Sequence, residues 1–376
     1  MSSAEEWANT SDEVCAAALA GLPSCWAARL RALFGETGAR EGLLRLLDHH
    51  NDEALRKLLP PRTPFDSLGR WRSALQGKSP AAIEERLKRL GVAVWLREHP
   101  LYPLALQDDP EPPLVLFSRG EADALQRRRV AIVGTRRCTA YGRNIAKKLG
   151  ADLTDAGIGV VSGLAIGIDG AAHDGVLAAG GHPIGVVGSG LDVVYPRRHT
   201  SLWNRTASEG LLLSEAALGM SPEPWRFPER NRIIAGLSEA LIVVESGEAG
   251  GSQITVDAAI ARGVDVMAVP GPVGSASSAG TNKLLVEGVF PVLGAAEVLA
   301  LLGMNTAKQR AEPLRLFEPL SAEATQVLAV LDFVPTPTER IVAEAGLTTG
   351  RVMCALEELA AARQAKGGGG WWSRVA

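Results

Sequence analysis

The middle of this sequence predicts an α/β fold, an extended Rossmann-like doubly wound parallel sheet. Three observations support that prediction. Short continuous Val/Ile runs, such as VAIVG at 130–134 and GIGVVSG at 157–163, recur between residues 96 and 304. Each run ends in a glycine-rich joint, and each joint opens a helical run with apolar residues at three- and four-residue spacing. The runs are continuous rather than alternating, so both faces of each strand are covered. Strand–helix alternation of this kind requires crossover helices and hence parallel strands. A small helical domain is expected before this region and a winged-helix-like domain after it.

Residues 1–95 read as helices of a small domain of SAM or helix-hairpin-helix type. CAAALAGLPSCWAARLRALFG carries helical spacing broken by Gly21 and Pro23, and GLLRLLDHHNDEALRKLLP continues it to Pro60 and Pro61. AAIEERLKRLG adds one more amphipathic helix. The Gly-Leu-Pro turn fits either a packing module or a hairpin gripping a DNA backbone.

From 96 to 304 the expected order is strand 130–134, a helix to Asp155, strand 157–163, and a helix near Asp169–Ala179. Strand 183–190, strand LLLSE at 211–215 and the RNRIIAG helix follow. The region closes with strand ALIVVES at 240–246, the helix of GGSQITVDAAIARG, strand DVMAVPG at 265–271 and the helix of TNKLLVEG. Residues 305–319 are polar with two prolines and read as a linker. Residues 320–376 read as three helices and a glycine turn between short strands, the order of a winged helix. Thr348–Ala362 stands as its recognition helix. Arg351 is its only basic residue, with Arg363 just past its far end, so DNA and protein contact both remain open.

Bulk composition limits the function classes. The 376 residues carry 39 Lys plus Arg against 42 Asp plus Glu, a net charge of -3, so nucleic-acid binding would rest on local patches. The four cysteines form no CxxC pair and no His cluster joins them. A disulfide framework and a zinc site are therefore not expected, and the usage fits a reducing cytosol. No secretory signal and no membrane span is read, and no cofactor is implied.

The residues with unusual chemistry gather at the strand ends, where open parallel sheets bind ligands. Gly134, Thr135 and Arg136, with Arg137, follow the first strand. Ser162 and Gly163 follow the second, Gly188, Ser189 and Gly190 the third, and Gly250, Gly251 and Ser252 the fifth. Glycine lets backbone N–H groups approach an anion, and helix N-termini add partial positive charge. After the fourth strand comes FPERNRIIAG, with Arg230, Asn231 and Arg232 read as standing at the mouth of a helix. Two cations there are unfavourable unless an anion lies between them. Helical geometry places Arg230 toward the apolar face and Arg232 about 200° away, reaching solvent. Phe227, beside Pro228, would either stack on a base or staple the helix start.

Other patterns carry less. Asp169 and His173 share a helix face but have no third ligand, which favours capping or network roles. GSGLDV is an incomplete dinucleotide turn, and no P-loop is present. Arg127-Arg128-Arg129 reads as a solvated run, or alternatively as an extension of a basic groove.

The blocks VGTRRCTAYG, SGLAIGIDGAAH, GSGLDVVYP, LSEAALG, FPERNRIIAGLSEALIVVE, GGSQIT and VPG…GTNKLL, spanning roughly residues 98–292 in order, resemble the DprA/Smf DNA-processing family. That resemblance implies a non-enzymatic protein that binds single-stranded DNA in a basic pocket of an extended Rossmann domain. It also implies homodimerisation and loading of the RecA recombinase during natural transformation. The family's G-[ST]-R pocket motif matches Gly134, Thr135 and Arg136. Its F-P-x-R-N-R motif matches Phe227, Pro228, Arg230, Asn231 and Arg232. Family members often carry a lysine three residues before that phenylalanine; this chain has Pro224, and Arg226 is the candidate substitute. The alternative is a Rossmann-type nucleotide phosphoribohydrolase. GEAGGSQITVDA lacks that family's proline, glycine and glutamate, leaving Glu245 and Asp257 as the nearby carboxylates.

Overall fold

Val130–Val133 shows how the centre of the molecule is built. Val130 and Ile132 face one layer of helices, and Ala131 and Val133 face the other. All four are buried, as the continuous apolar run requires. Burying each large aliphatic side chain contributes roughly 1.5–3 kcal/mol. The computed structural model describes residues 3–34, 37–248, 250–304, 320–332, 334–362 and 364–375.

The main sheet has nine strands. They are β1 (Ala93–Trp95), β2 (Leu116–Gly120), β3 (Arg129–Val133), β4 (Gly159–Ser162), β5 (Ile184–Val186), β6 (Leu211–Ser214), β7 (Ala240–Val243), β8 (Asp265–Ala268) and β9 (Phe290–Pro291). Their spatial order is β1-β2-β6-β5-β4-β3-β7-β8-β9. From β6 to β9 the strands are parallel, with Val130 opposite Val160 and Ile132 opposite Ile242. β2 joins β6 antiparallel and β1 joins β2 antiparallel at one edge.

The chain steps from β3 out to β6, then returns to the other side of β3 with β7. Crossovers leave β3 and β7 in opposite directions, which opens a crevice at their carboxyl ends. Helices Ala140–Asp155 and Ile168–Ala178 cover one face, and helices Arg226–Gly236 and Ser252–Ile260 cover the other.

The N-terminal helices do not form a separate core. Leu19, Leu30, Leu43 and Trp71 share one buried cluster with Phe117 of β2 and Leu212 of β6. The expected boundary at residue 95 falls at the end of β1, inside the sheet. Residues 1–305 form one compact unit and residues 306–376 a second. Short helices whose apolar faces exceed what they can bury among themselves use the sheet's open face instead.

In the second unit, helices Ala322–Val330, Thr338–Ala345 and Thr349–Ala361 enclose Val327, Ile341, Val352 and Leu356. A three-stranded sheet of β10 (Thr336–Pro337), β11 (Ala365–Gly368) and β12 (Trp371–Arg374) flanks them. On helix Thr349–Ala361, Arg351 and Glu357 are both exposed. Arg363 and the linker expected at 305–319 lie outside the described residues.

In Arg127–Arg129 the first two residues are exposed, as a solvated run would be, and Arg129 is drawn in. Arg128 pairs with Glu239 at 2.5 Å and donates to the Leu302 carbonyl at 2.6 Å. Arg129 donates to the Leu237 carbonyl at 2.9 Å. These arginines tie the start of β3 to its neighbours, because loop carbonyls there have no ladder partners.

Candidate nucleic-acid interface

The crevice at the carboxyl ends of β3, β4 and β7 is an open groove of about 630 Å³. It collects Gly134, Thr135, Arg136, Phe227, Arg230, Asn231, Gly250, Gly251 and Ser252 in one lining. Gly163, Gly188 and Ser189 line a smaller cavity of about 40 Å³ next to it, again with Arg136, Phe227 and Arg230.

The joint after β3 has a steric reason for glycine. A Cβ on Gly134 would sit 2.6 Å from Ile168 Cγ1 and 2.7 Å from the Glu245 carbonyl oxygen. Thr135 N–H donates to that carbonyl at 2.7 Å, and the Thr135 hydroxyl accepts from Arg137 N–H at 3.2 Å. The joint is therefore held rigidly and projects Arg136 outward. Arg136 is exposed, and no acidic side chain among the described residues pairs with it. Its guanidinium lies 5.0 Å from the Phe227 ring centroid, within cation–π range.

Helix Arg226–Gly236 begins four residues earlier than Arg230, so Arg230, Asn231 and Arg232 lie within it and not at its mouth. Pro228 explains the start. As the third helical residue it lacks only an N–H that has no intrahelical partner, so the first turn tolerates it. Phe227 consequently stands on the first turn and contacts Tyr195, ring centroids 5.6 Å apart.

Arg230 and Arg232 are both only 6% exposed, which corrects the expectation that Arg232 reaches solvent. Arg232 donates to both Glu215 carboxylate oxygens at 2.6 Å and to the Glu111 carbonyl at 2.6 Å. It does not line the groove; it clamps the end of β6 to the helix. Arg230 donates to the Gly163 carbonyl at 2.7 Å and to the Val186 carbonyl. Burial pulls its guanidinium down to about 10, with the Asp169 carboxylate opposing that shift, so it stays cationic at neutral pH. A Cβ on Gly163 would lie 2.5 Å from Arg230 Nη1, which is why this joint needs glycine.

Not every strand end can receive an anion. The Glu245 carboxylate accepts from the Thr139 N–H at 2.8 Å and its hydroxyl at 2.6 Å, filling the start of helix Ala140–Asp155. Asp169 accepts from Gly163 N–H at 3.1 Å beside the start of helix Ile168–Ala178. Helix Ser252–Ile260 has no such side-chain cap, and Gly251 before it is exposed to the groove. That terminus still presents partial positive charge.

Four expected site residues are placed elsewhere. The Ser162 hydroxyl donates to the Ile132 carbonyl at 2.6 Å inside the sheet. Gly190 is buried in a turn, its N–H donating to the Met220 carbonyl at 2.9 Å. Arg232 is the clamp described above. Arg226 lies 4.4 Å from the Trp225 ring and lines a separate small cavity rather than the groove. Ser189 and Ser252, though lining, spend their hydroxyls on the Val193 carbonyl and the Ser246 hydroxyl.

Tyr195, 40% exposed in the groove wall, escaped the sequence reading. The signal was present: Tyr-Pro closes GSGLDVVYP as Phe-Pro opens FPERNR, and the chain has only three tyrosines. Among the described residues no third His, Cys, Asp or Glu joins His173 and Asp169 in a metal-ligating cluster. No helix among the described residues is long and apolar enough to cross a membrane.

The chain is similar to known proteins in sequence and in fold. The chain is 40% identical over 198 residues to "DNA processing protein DprA" of Bacillus subtilis, covering 52% of this chain and 67% of that one. The X-ray structure of DNA processing protein A from Streptococcus pneumoniae superposes with a TM-score of 0.64 at 30% identity, covering 77% of this chain and 96% of that one. A Helicobacter pylori DNA processing protein A structure, described for its single-stranded DNA binding mode, gives 0.51 at 27% identity, covering 56% and 95%. The family model for DNA recombination-mediator protein A matches residues 93–303, from β1 through the last helix of the first unit. On that match and the shared sheet, the chain belongs to the DNA recombination-mediator protein A family.

Proposed function

We propose that this protein binds single-stranded DNA in the groove at the carboxyl ends of β3, β4 and β7. The observation that carries the reading is Arg136, an exposed cation without an acidic partner among the described residues, set over the Phe227–Tyr195 pair. Bases stack on such rings only when unpaired, and a lone guanidinium meets a phosphate beside them. The Helicobacter relative's binding mode supports this assignment. Arg230 contributes long-range positive potential from inside the wall rather than direct contact.

Fluorescence anisotropy with oligothymidine and with a duplex, across salt concentrations, tests it. The expected result is a preference for the single strand. In Arg136→Ala the log–log salt slope should fall by about 0.7, the loss of one phosphate contact. An unchanged slope in that variant would sink the reading.

RecA loading and homodimerisation are proposed from family membership. Strand exchange with RecA on protein-coated DNA, and the mass of the particle in solution, test them. We also read the C-terminal unit as a winged helix. Its helix Thr349–Ala361 offers one exposed cation, Arg351, and an exposed anion, Glu357, a charge pattern that favours protein contact, and deletion of residues 310–376 should then leave DNA affinity unchanged. The nucleotide-hydrolase alternative gains no support: Glu245 is 1% exposed and engaged by Thr139 through both oxygens.

A further inference from the structure

The carboxyl rim of the sheet does not end at the groove. From β4 across β5 to β6 it passes two smaller cavities, of about 40 and 50 Å³, both lined by Gly188 and Arg230. The second is walled by Trp225 and by Trp26 of the N-terminal helices. Both indoles are half-buried, with ring centroids 6.4 Å apart and planes at 68°. The Arg29 guanidinium lies 3.5 Å over Trp26, and that of Arg226 4.4 Å over Trp225.

Arg226 Nε and Arg29 Nε, in the two guanidinium groups over these indoles, are both buried and without a hydrogen-bond partner among the described residues. Arg226 is also the chain neighbour of Phe227, so the two aromatic–arginine groups adjoin across one helix start. Between β7 and β6 lie four inter-strand steps of about 4.8 Å, a rim of roughly 19 Å. That exceeds what one or two nucleotides in the groove would cover.

We infer that Trp26, Trp225 and Arg226 form a second stacking station for single-stranded DNA, carrying the strand from the groove onto the N-terminal helices. This rests on the function proposed above. Indole faces hold any base without regard to sequence. Glu223, which accepts from Trp225 Nε1, and Glu229 flank the station. Its contribution is therefore stacking, with little added salt dependence.

The full-length protein is titrated with oligothymidines of about 4 and about 20 nucleotides. In Trp26→Ala and Trp225→Ala, affinity for the longer oligonucleotide should fall about tenfold, one stacked base's worth. Affinity for the shorter one and the salt slope should stay unchanged. Equal affinity for the longer oligonucleotide in variant and wild type overturns the inference, and so does an equal loss at both lengths. Photocross-linking of the wild-type protein to bromodeoxyuridine-substituted oligothymidine avoids any folding defect of the variants. Adducts at Trp26 or Trp225, besides Phe227 or Tyr195, support the station. Adducts confined to Phe227 and Tyr195 overturn it and leave the groove reading standing. A wild-type protein that binds neither oligonucleotide ends both.

Discussion

Replacing Arg232 with alanine should unfold the protein more easily without taking a contact from DNA. The guanidinium is 6% exposed and makes three donations, two to Glu215 and one to the Glu111 carbonyl. Alanine leaves the Glu215 carboxylate without its cation in a mostly dry site and the carbonyl without a donor. Breaking a buried pair from one side costs about 3–5 kcal/mol. The Glu215 side chain keeps 24% of its exposure, so some solvent returns and the lower end, about 3 kcal/mol, applies. With a urea dependence near 3 kcal/mol per molar, the unfolding midpoint should fall by about 1 M. Urea titration followed by tryptophan fluorescence measures it. The double variant Arg232→Met, Glu215→Leu should recover most of the loss, because neither charge is then stranded. An unchanged midpoint in Arg232→Ala, accompanied by a shallower salt dependence of DNA binding, would refute this account and return Arg232 to the phosphate path.

Three further outcomes are expected. Gly163→Ala would push a methyl to 2.5 Å from Arg230 Nη1; a loss of about 1–3 kcal/mol in urea unfolding should accompany weaker DNA binding, and wild-type values for both would dismiss the close packing. Phe227→Leu keeps an apolar side chain but removes the ring, so oligothymidine affinity should fall by about 1–3 kcal/mol with no change in salt slope; a changed slope would assign Phe227 to placing Arg136 instead. His173 is fully buried, and desolvation pulls its imidazole down to about 3 from an ordinary 6.5. Its contribution to stability is complete above pH 6.5 and is lost as pH falls toward 3, at up to about 1.4 kcal/mol per pH unit. His173→Leu should flatten that part of the stability–pH curve, and an identical curve in both proteins would count against it.

The order of strands and helices from β3 to β9 was legible because a strand covered on both faces has to be apolar at consecutive positions. The glycine joints were legible because a chain that turns sharply beneath a helix leaves no room for a Cβ. The fate of each arginine was not. Arg230, Arg232 and Arg136 look alike as letters, and helix periodicity put Arg232 toward water. Glu215 and Glu111, 17 and 121 positions away, claim it instead. Pro228, tolerated in a first turn, is the local signal that sets the helix start ahead of Arg230.

Local periodicity thus specifies which face of an element is apolar, since that face repeats within a few residues. The partner of a buried charge comes from a remote segment brought close by the sheet, and no short-range pattern encodes it. For the same reason Glu245, 106 positions from Thr139, fills a helix end that local sequence left open to a ligand, while Tyr195 and Trp26, remote in sequence from the arginine motif, stand along its rim. The N-terminal helices likewise look self-contained until the open face over β2 and β6 is there to take up their excess apolar surface.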